Sequence, residues 1–330
     1  MNAINIAILE YIHKMKKTIA PIIQANGQSP DVEICRYGYS AEQEIIKDVV
    51  KKEDPLFLGR MGSIELNALC NYLQKENLLK NIEFTSFNYC MDRCWPIWWS
   101  KGAKNGMQNN AGFFPVEDKY LDKWGEMMVQ DLQELTHLLT WQKNETYIEP
   151  FMKNLKGKIN NYQVYYPIAH ENPWTEILNG KKVLVISPFA KTIEQQYFTA
   201  RKFIHFNKKI LPVFDLETIK SFNFLRGITD GKIDTWFQAL GIMEEQILKK
   251  QFDIALLGCG AYAFNLGAFI KRLGKTAVTM CGGLPLLFGI YGNRYERWLR
   301  ESNILNEFWR RPSDDEKPVG YRYVENGAYW

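Results

Sequence analysis

In the second half of the chain, apolar residues gather into short continuous runs separated by stretches with helical spacing. Lys182-Val183-Leu184-Val185-Ile186-Ser187 is bounded by Gly180 and Pro188, and it predicts a strand over 182–188. The pattern continues with a helix over 192–206, a strand over 210–214, a helix over 234–250 and a strand over 253–257. A helix over 263–273 and a strand over 276–280 follow. Runs that are apolar at every position, without in–out alternation, belong to strands covered on both faces. Strands alternating with helices therefore predict an α/β fold: a mostly parallel, Rossmann-like sheet with helices on both faces.

The first half is less regular. Ile4, Ile8, Tyr11 and Ile12 mark an apolar helical face, and a second helical stretch over 41–52 ends before Asp54-Pro55. These two stretches are expected to form an N-terminal helical extension over 1–54, ahead of one α/β domain over 55–330. Residues 56–61 predict a buried strand, 65–73 a helix and 82–87 another strand. Residues 88–115, dense in aromatic residues, Asn and Gly, read as an irregular functional loop. A long helix is expected over 117–141, opened by Pro115. Residues 147–178 hold Pro150, Pro167 and Pro173 and read as a wrapping connection. The tail over 310–330 is expected to cross the surface.

Composition narrows the class. Hydrophobic residues make up 46% and charged residues 24%, as in a soluble globular protein and unlike a disordered chain. A net charge of +4 does not argue for a nucleic-acid partner. No apolar run is long enough to span a bilayer, and residues 1–20 lack the apolar core of a signal peptide, so a cytoplasmic location is expected. Six cysteines are scattered, and Cys90 and Cys94 have no second pair at ligand spacing. A basic bias over 271–311, with Arg294, Arg297 and Arg300 on one helical face, reads as a solvated face and leaves open a polyphosphate, an anionic lipid carrier or a peripheral membrane contact.

Ligands of open α/β sheets bind beyond the carboxyl ends of the strands, and three such ends carry chemistry. Gly258-Cys259-Gly260-Ala261-Tyr262-Ala263 joins a strand to a helix, where glycines permit a tight turn and close approach of a phosphate. Gly258, Gly260 and Tyr262 are candidate nucleotide contacts. A dinucleotide fold also needs an acidic residue after the next strand, but Met280-Cys281-Gly282-Gly283 stands there. The second end, Arg60-Met61-Gly62-Ser63-Ile64-Glu65, offers a guanidinium that can fork onto a phosphate and a carboxylate that can serve as base. At the third, Ser187, Lys191 and Thr192 either cap the next helix or cradle a phosphate. The irregular segment supplies Asn88, Trp95 and Asn110 as further candidate contacts.

Arg60 to Glu65 after a strand resembles the R-x-G-D-x-E segment of bacterial glycosyltransferases with the GT-D fold. The stretches 253–294, 110–115 and 187–189 are similar to uncharacterised bacterial proteins related to polysaccharide-biosynthesis enzymes. That resemblance implies transfer of a sugar from a nucleotide-sugar donor to a glycan or lipid-linked acceptor in surface-polysaccharide synthesis. It also implies a D-x-E motif serving the donor and a divalent metal. Arg60, Gly62 and Glu65 match the motif. Ser63 replaces its aspartate, which puts Mn2+ or Mg2+ dependence in question.

The resulting expectation is a glycosyltransferase with Glu65 as catalytic base, and with Arg60, Gly62, Ser63, Ser187, Lys191, Thr192 and the glycine turn on the donor. Two other readings stay open: a nucleotide-binding oxidoreductase built on 258–263, and a non-catalytic binder of sugar nucleotides descended from such enzymes.

Overall fold

The computed structural model describes residues 40–330, apart from 53–54, 81, 92, 228–230 and 324–326. The apolar face expected over 1–20 lies outside the described residues. Seven strands form one sheet: β1 (Phe57–Gly59), β2 (His137–Thr140), β3 (Gly157–Asn160), β4 (Lys182–Ser187), β5 (Asp215–Lys220), β6 (Ile254–Leu257) and β7 (Thr276–Thr279). Their order is β3-β2-β1-β7-β6-β4-β5, and every neighbouring pair is parallel. This is the expected α/β, Rossmann-like sheet.

The longer helices are α1 (Ser40–Lys52), α2 (Ser63–Lys75), α3 (Lys101–Asn109), α4 (Asp118–Asp131), α5 (Ala190–Ile204), α6 (Trp236–Leu248), α7 (Ala263–Arg272) and α8 (Asn293–Glu301). The continuous apolar runs are explained by which face each residue serves. Phe57, Leu138, Leu184, Ile186, Ala255, Leu257 and Ala277 pack with α2, α4, α6 and α7. Their strand neighbours Leu58, Leu139, Val183, Val185, Ile254, Leu256 and Val278 pack with α1, α5 and α8. Successive side chains of a strand point to opposite faces, so two covered faces require apolar residues throughout. Helix α1, the described part of the expected N-terminal extension, packs on the body of the protein. Ile46 is fully buried, and the Gln43 amide donates to Gln163 O at 2.9 Å.

Several expected elements differ. The helix expected over 117–141 stops at Asp131, and His137–Thr140 is strand β2. Its Leu138 and Leu139 continue the helical spacing by coincidence, and a four-residue buried strand cannot be told from a helix turn by periodicity. Residues 82–85 pair with no strand among the described residues and lead into a short helix, Ser86–Cys90. Ile82 and Phe84 there pack on Tyr89, Cys90 and Cys94.

The strand expected over 210–214 begins at Asp215. Ile210, Leu211 and Phe214 are buried in the approach to it, whereas β5 is an edge strand and carries polar residues. Residues 88–90 and 101–109 of the expected loop over 88–115 are helical, and Trp99, Met107 and Phe113 are in the core. The connection over 147–178 contains β3. The tail is not confined to the surface, since Ala328 and Trp330 are each 5% exposed.

Candidate functional site

All seven strands point their carboxyl ends to one edge of the sheet, and a cavity of about 400 Å³ opens there. Its wall takes in residues 60 and 62–65 after β1, Trp141 after β2 and Tyr162, Tyr165 and Tyr166 after β3. Pro188 and Phe189 follow β4, and residues 221–225 follow β5. Residues 258–262 follow β6 and Cys281 and Gly282 follow β7. Residues 110–112, Asn161, Pro285, Arg294, Tyr329 and Trp330 complete it.

Arg60 is held from several sides. Its backbone N–H donates to Thr279 Oγ1 at 2.8 Å, tying the end of β1 to the end of β7. Its guanidinium carbon stands 4.4 Å from the centre of the Trp141 ring and 5.4 Å from that of Tyr165. Trp141 is fixed in turn, because its indole N–H donates to Met61 O at 3.0 Å. A cation stacked on rings is oriented while its N–H donors remain at the ring edge. The Arg60 Nε is buried and makes no hydrogen bond within the protein. Such a group is costly unless something accepts from it.

Glu65 is the third residue of α2 and folds back over the residue before that helix. A Cβ at position 62 would meet Glu65 Oε2, so glycine there lets the carboxylate fold over the backbone, and a larger residue would displace this flexible side chain. Glu65 is partly exposed as a residue, but protein surrounds its carboxyl group. Burial pushes its pKa above the ordinary range, while its own backbone N–H and the Arg60 guanidinium pull it down. Ser63 is exposed at the first position of α2 and lines the cavity.

The glycine turn after β6 also lines the cavity. Gly260 has φ +59°, a left-handed conformation that glycine adopts without strain. At Gly258 a Cβ would meet Leu284 Cδ2 at 2.6 Å. The Tyr262 ring stacks on Trp236 with centroids 4.9 Å apart, and its hydroxyl makes no hydrogen bond within the protein. The Ser221 hydroxyl and the Asn161 side-chain oxygen, both on the cavity wall, are buried in the same state. Burial pushes the pKa of the Cys259 and Cys281 thiols up, which disfavours the reactive thiolate.

Of the expected site residues, Arg60, Gly62, Ser63, Glu65, Asn110, Gly258, Gly260 and Tyr262 meet in this cavity. Ser187, Lys191 and Thr192 are not among its lining residues. The backbone N–H of Lys191 donates to Glu316 Oε1 at 2.8 Å and that of Thr192 to Glu316 Oε2 at 3.2 Å. The Thr192 hydroxyl also bonds to Glu316. The amides expected to cradle a phosphate thus serve a carboxylate of the chain itself, and the Lys191 ammonium pairs with Asp315 at 2.5 Å. Ser187 is fully buried, and its hydroxyl accepts from Phe189 N.

Asn88 and Trp95 also lie elsewhere. The Asn88 amide donates to Glu83 O at 3.1 Å, and the Trp95 ring packs edge-on against Tyr147 at 5.0 Å. Trp141, the tyrosines of 162–166, Arg294 and the tail residues were not expected in the site. The aromatic run Tyr162 to Tyr166 carries a readable signal, since it directly follows a strand, but β3 had first to be recognised.

The donor set is a poor match to a resident divalent metal. One carboxylate, Glu65, lines the cavity, folded against Gly62 beside a guanidinium. Among the described residues no three His, Cys, Asp or Glu gather at ligating distance. No helix among the described residues is long and apolar enough to cross a membrane. No family model, curated protein or solved structure matches this chain.

Proposed function

We propose that the chain is a glycosyltransferase, moving a sugar from a nucleotide-sugar donor to a hydroxyl of a glycan or lipid-linked acceptor. One observation carries this reading. Arg60, oriented on Trp141 with a buried and unsatisfied Nε, shares one cavity with Glu65, a carboxylate whose affinity for a proton is raised. In the transfer step the acceptor oxygen attacks the anomeric carbon while the bond from that carbon to the donor phosphate oxygen breaks. The bonding pair leaves with the phosphate, where Arg60 stabilises the developing charge. The acceptor proton passes to Glu65, whose raised pKa brings it closer to the operating pH of a base. The glycine turn after β6 lets backbone approach the donor, and the Tyr162 and Tyr166 rings offer apolar faces to a sugar or base.

Ser63 favours a second reading, binding of sugar nucleotides without turnover. It stands exposed where the D-x-E pattern has a carboxylate. The decisive experiment pairs a transfer assay over a panel of UDP-, GDP- and CDP-sugars with thermal shifts by the same donors. Glu65→Gln is expected to keep the shift and to lose transfer by about 10²- to 10⁴-fold. Binding without turnover by the wild type selects the second reading, and full turnover by Glu65→Gln refutes the role given to Glu65.

A further inference from the structure

A second arginine stands on the same wall as Arg60, and a pair of tyrosines joins the two. Tyr165, whose ring lies beneath the Arg60 guanidinium, shares a buried hydrogen bond of 2.5 Å between its hydroxyl and that of Tyr295. The Arg294 guanidinium lies 6.0 Å from the centre of the Tyr295 ring and 5.7 Å from that of Tyr329, and it donates to the Tyr329 hydroxyl at 2.7 Å. The backbone N–H of Arg294 is bound as well, to Ala328 O at 2.9 Å.

The three rings converge on Gly282. A Cβ there would stand 2.6 Å from Tyr165 Oη, 2.9 Å from Tyr329 Cε1 and 3.1 Å from Tyr295 Oη. Both guanidiniums also act on the Tyr166 hydroxyl, favouring its ionised form against the larger effect of burial. Two cations on two different rings, spaced by a hydroxyl pair and both lining one cavity, match an anion with two charged centres.

We propose that Arg60 and Arg294, positioned through the Tyr165–Tyr295 hydrogen bond, form a two-armed clamp for a diphosphate. This rests on reading the cavity as the donor site, and it selects a diphosphate-linked ligand over a phosphomonoester. Arg60 is the inner arm. Arg294, which the C-terminal residues hold in place, is the outer arm and meets the second phosphoryl group.

The test is calorimetric titration of the full chain with inorganic phosphate and inorganic pyrophosphate. The wild type is expected to bind pyrophosphate at least about tenfold more tightly than phosphate, since one charged hydrogen-bonding arm separates the two. Arg294→Gln, at an exposed position, removes that preference and leaves phosphate binding in place, whereas Arg60→Gln weakens both. Tyr295→Phe reduces the preference without altering the charge of either arm, and Arg294→Lys restores part of it. Equal affinity of the wild type for the two anions, or unchanged pyrophosphate binding in Arg294→Gln, overturns the clamp.

UDP and GDP on one side and geranyl diphosphate on the other distinguish the source. Whichever binds more tightly than pyrophosphate identifies a nucleoside or a lipid diphosphate, and either result upholds the clamp. Pyrophosphate binding is read without turnover. A chain that binds it as described yet transfers no sugar refutes the transferase reading alone, and one that transfers sugar without depending on Arg294 refutes the clamp alone.

Discussion

Glu145 gives the sharpest quantitative prediction, because it supports the site from beneath. It is 4% exposed and accepts the backbone N–H of Trp141 through both carboxylate oxygens at 3.2 Å. Burial pushes its pKa up to about 7, against the N–H groups of Trp141 and Gln142 and the Arg60 guanidinium. The rise from the ordinary 4.5 corresponds to about 3 kcal/mol, as an order of magnitude.

The sign follows from linkage. A carboxyl that holds its proton more tightly when folded contributes its stability in full below about pH 4.5. That contribution is lost as the pH rises through about 7. Glu145→Gln is neutral throughout. Its stability relative to wild type should therefore climb by about 3 kcal/mol between pH 4.5 and 8.5. Any constant penalty from the changed hydrogen bonds shifts the whole curve and leaves its slope alone. Urea denaturation of both proteins across that range, followed by circular dichroism, measures the difference. Parallel curves would falsify the assignment of a near-neutral proton to Glu145.

Three further outcomes are expected. His205, 4% exposed and bonded through Nε2 to Leu287 O at 2.8 Å, has its pKa lowered by burial to about 4. Its contribution is thus present above about pH 6.5 and lost as the pH falls through 4, so His205→Gln should flatten the acid limb of stability by about 3 kcal/mol in a denaturation series. Glu316→Gln removes the charge that Lys191, Thr192 and the first turn of α5 bind, at a cost of about 1–3 kcal/mol. Because Glu316 does not line the cavity, nucleotide binding should be unchanged in calorimetry, and a large loss of affinity would return the phosphate site to the start of α5. Trp141→Leu removes the ring under Arg60 and should weaken pyrophosphate binding about 3- to 30-fold with far-ultraviolet dichroism unchanged. Undiminished binding would show that stacking does not orient the guanidinium.

What the sequence makes legible depends on how strongly a residue is tied to its neighbours along the chain. β4, β6 and β7 are buried at nearly every position, rich in aliphatic and β-branched residues, and flanked by a strand on each side, so their runs stand out. The polar edge strands β3 and β5 are not separable from the chain around them without knowing their partners. The same division holds in the site. Arg60, Gly62, Glu65 and the turn Gly258 to Tyr262 are local patterns after strands, and all reach the cavity. The partners that decide what Arg60 does, Trp141 and Tyr165, are contributed by other connections, and they become legible only once β2 and β3 are recognised. Thr192 misleads for the complementary reason. Its place at the start of α5 is legible, but Glu316, which takes up those amides, is 124 residues away.

The order of the strands also sets a timetable for the nascent chain. β1 is emitted early, yet its central partner is β7. The hydrogen bond that orients the Arg60 backbone joins residues 219 positions apart. At typical synthesis rates of about 5–20 residues per second, that interval is roughly 10–45 s, during which one edge of the β1–β2–β3 unit has no partner. The wait extends to residues 328 and 329, because Ala328 and Tyr329 fix Arg294. Sheets closed by distant segments fold slowly and expose strand edges meanwhile. A ribosome stalled before residue 276 therefore presents a sheet that has one open flank, and the cavity takes its final form only once residues 328–330 have emerged.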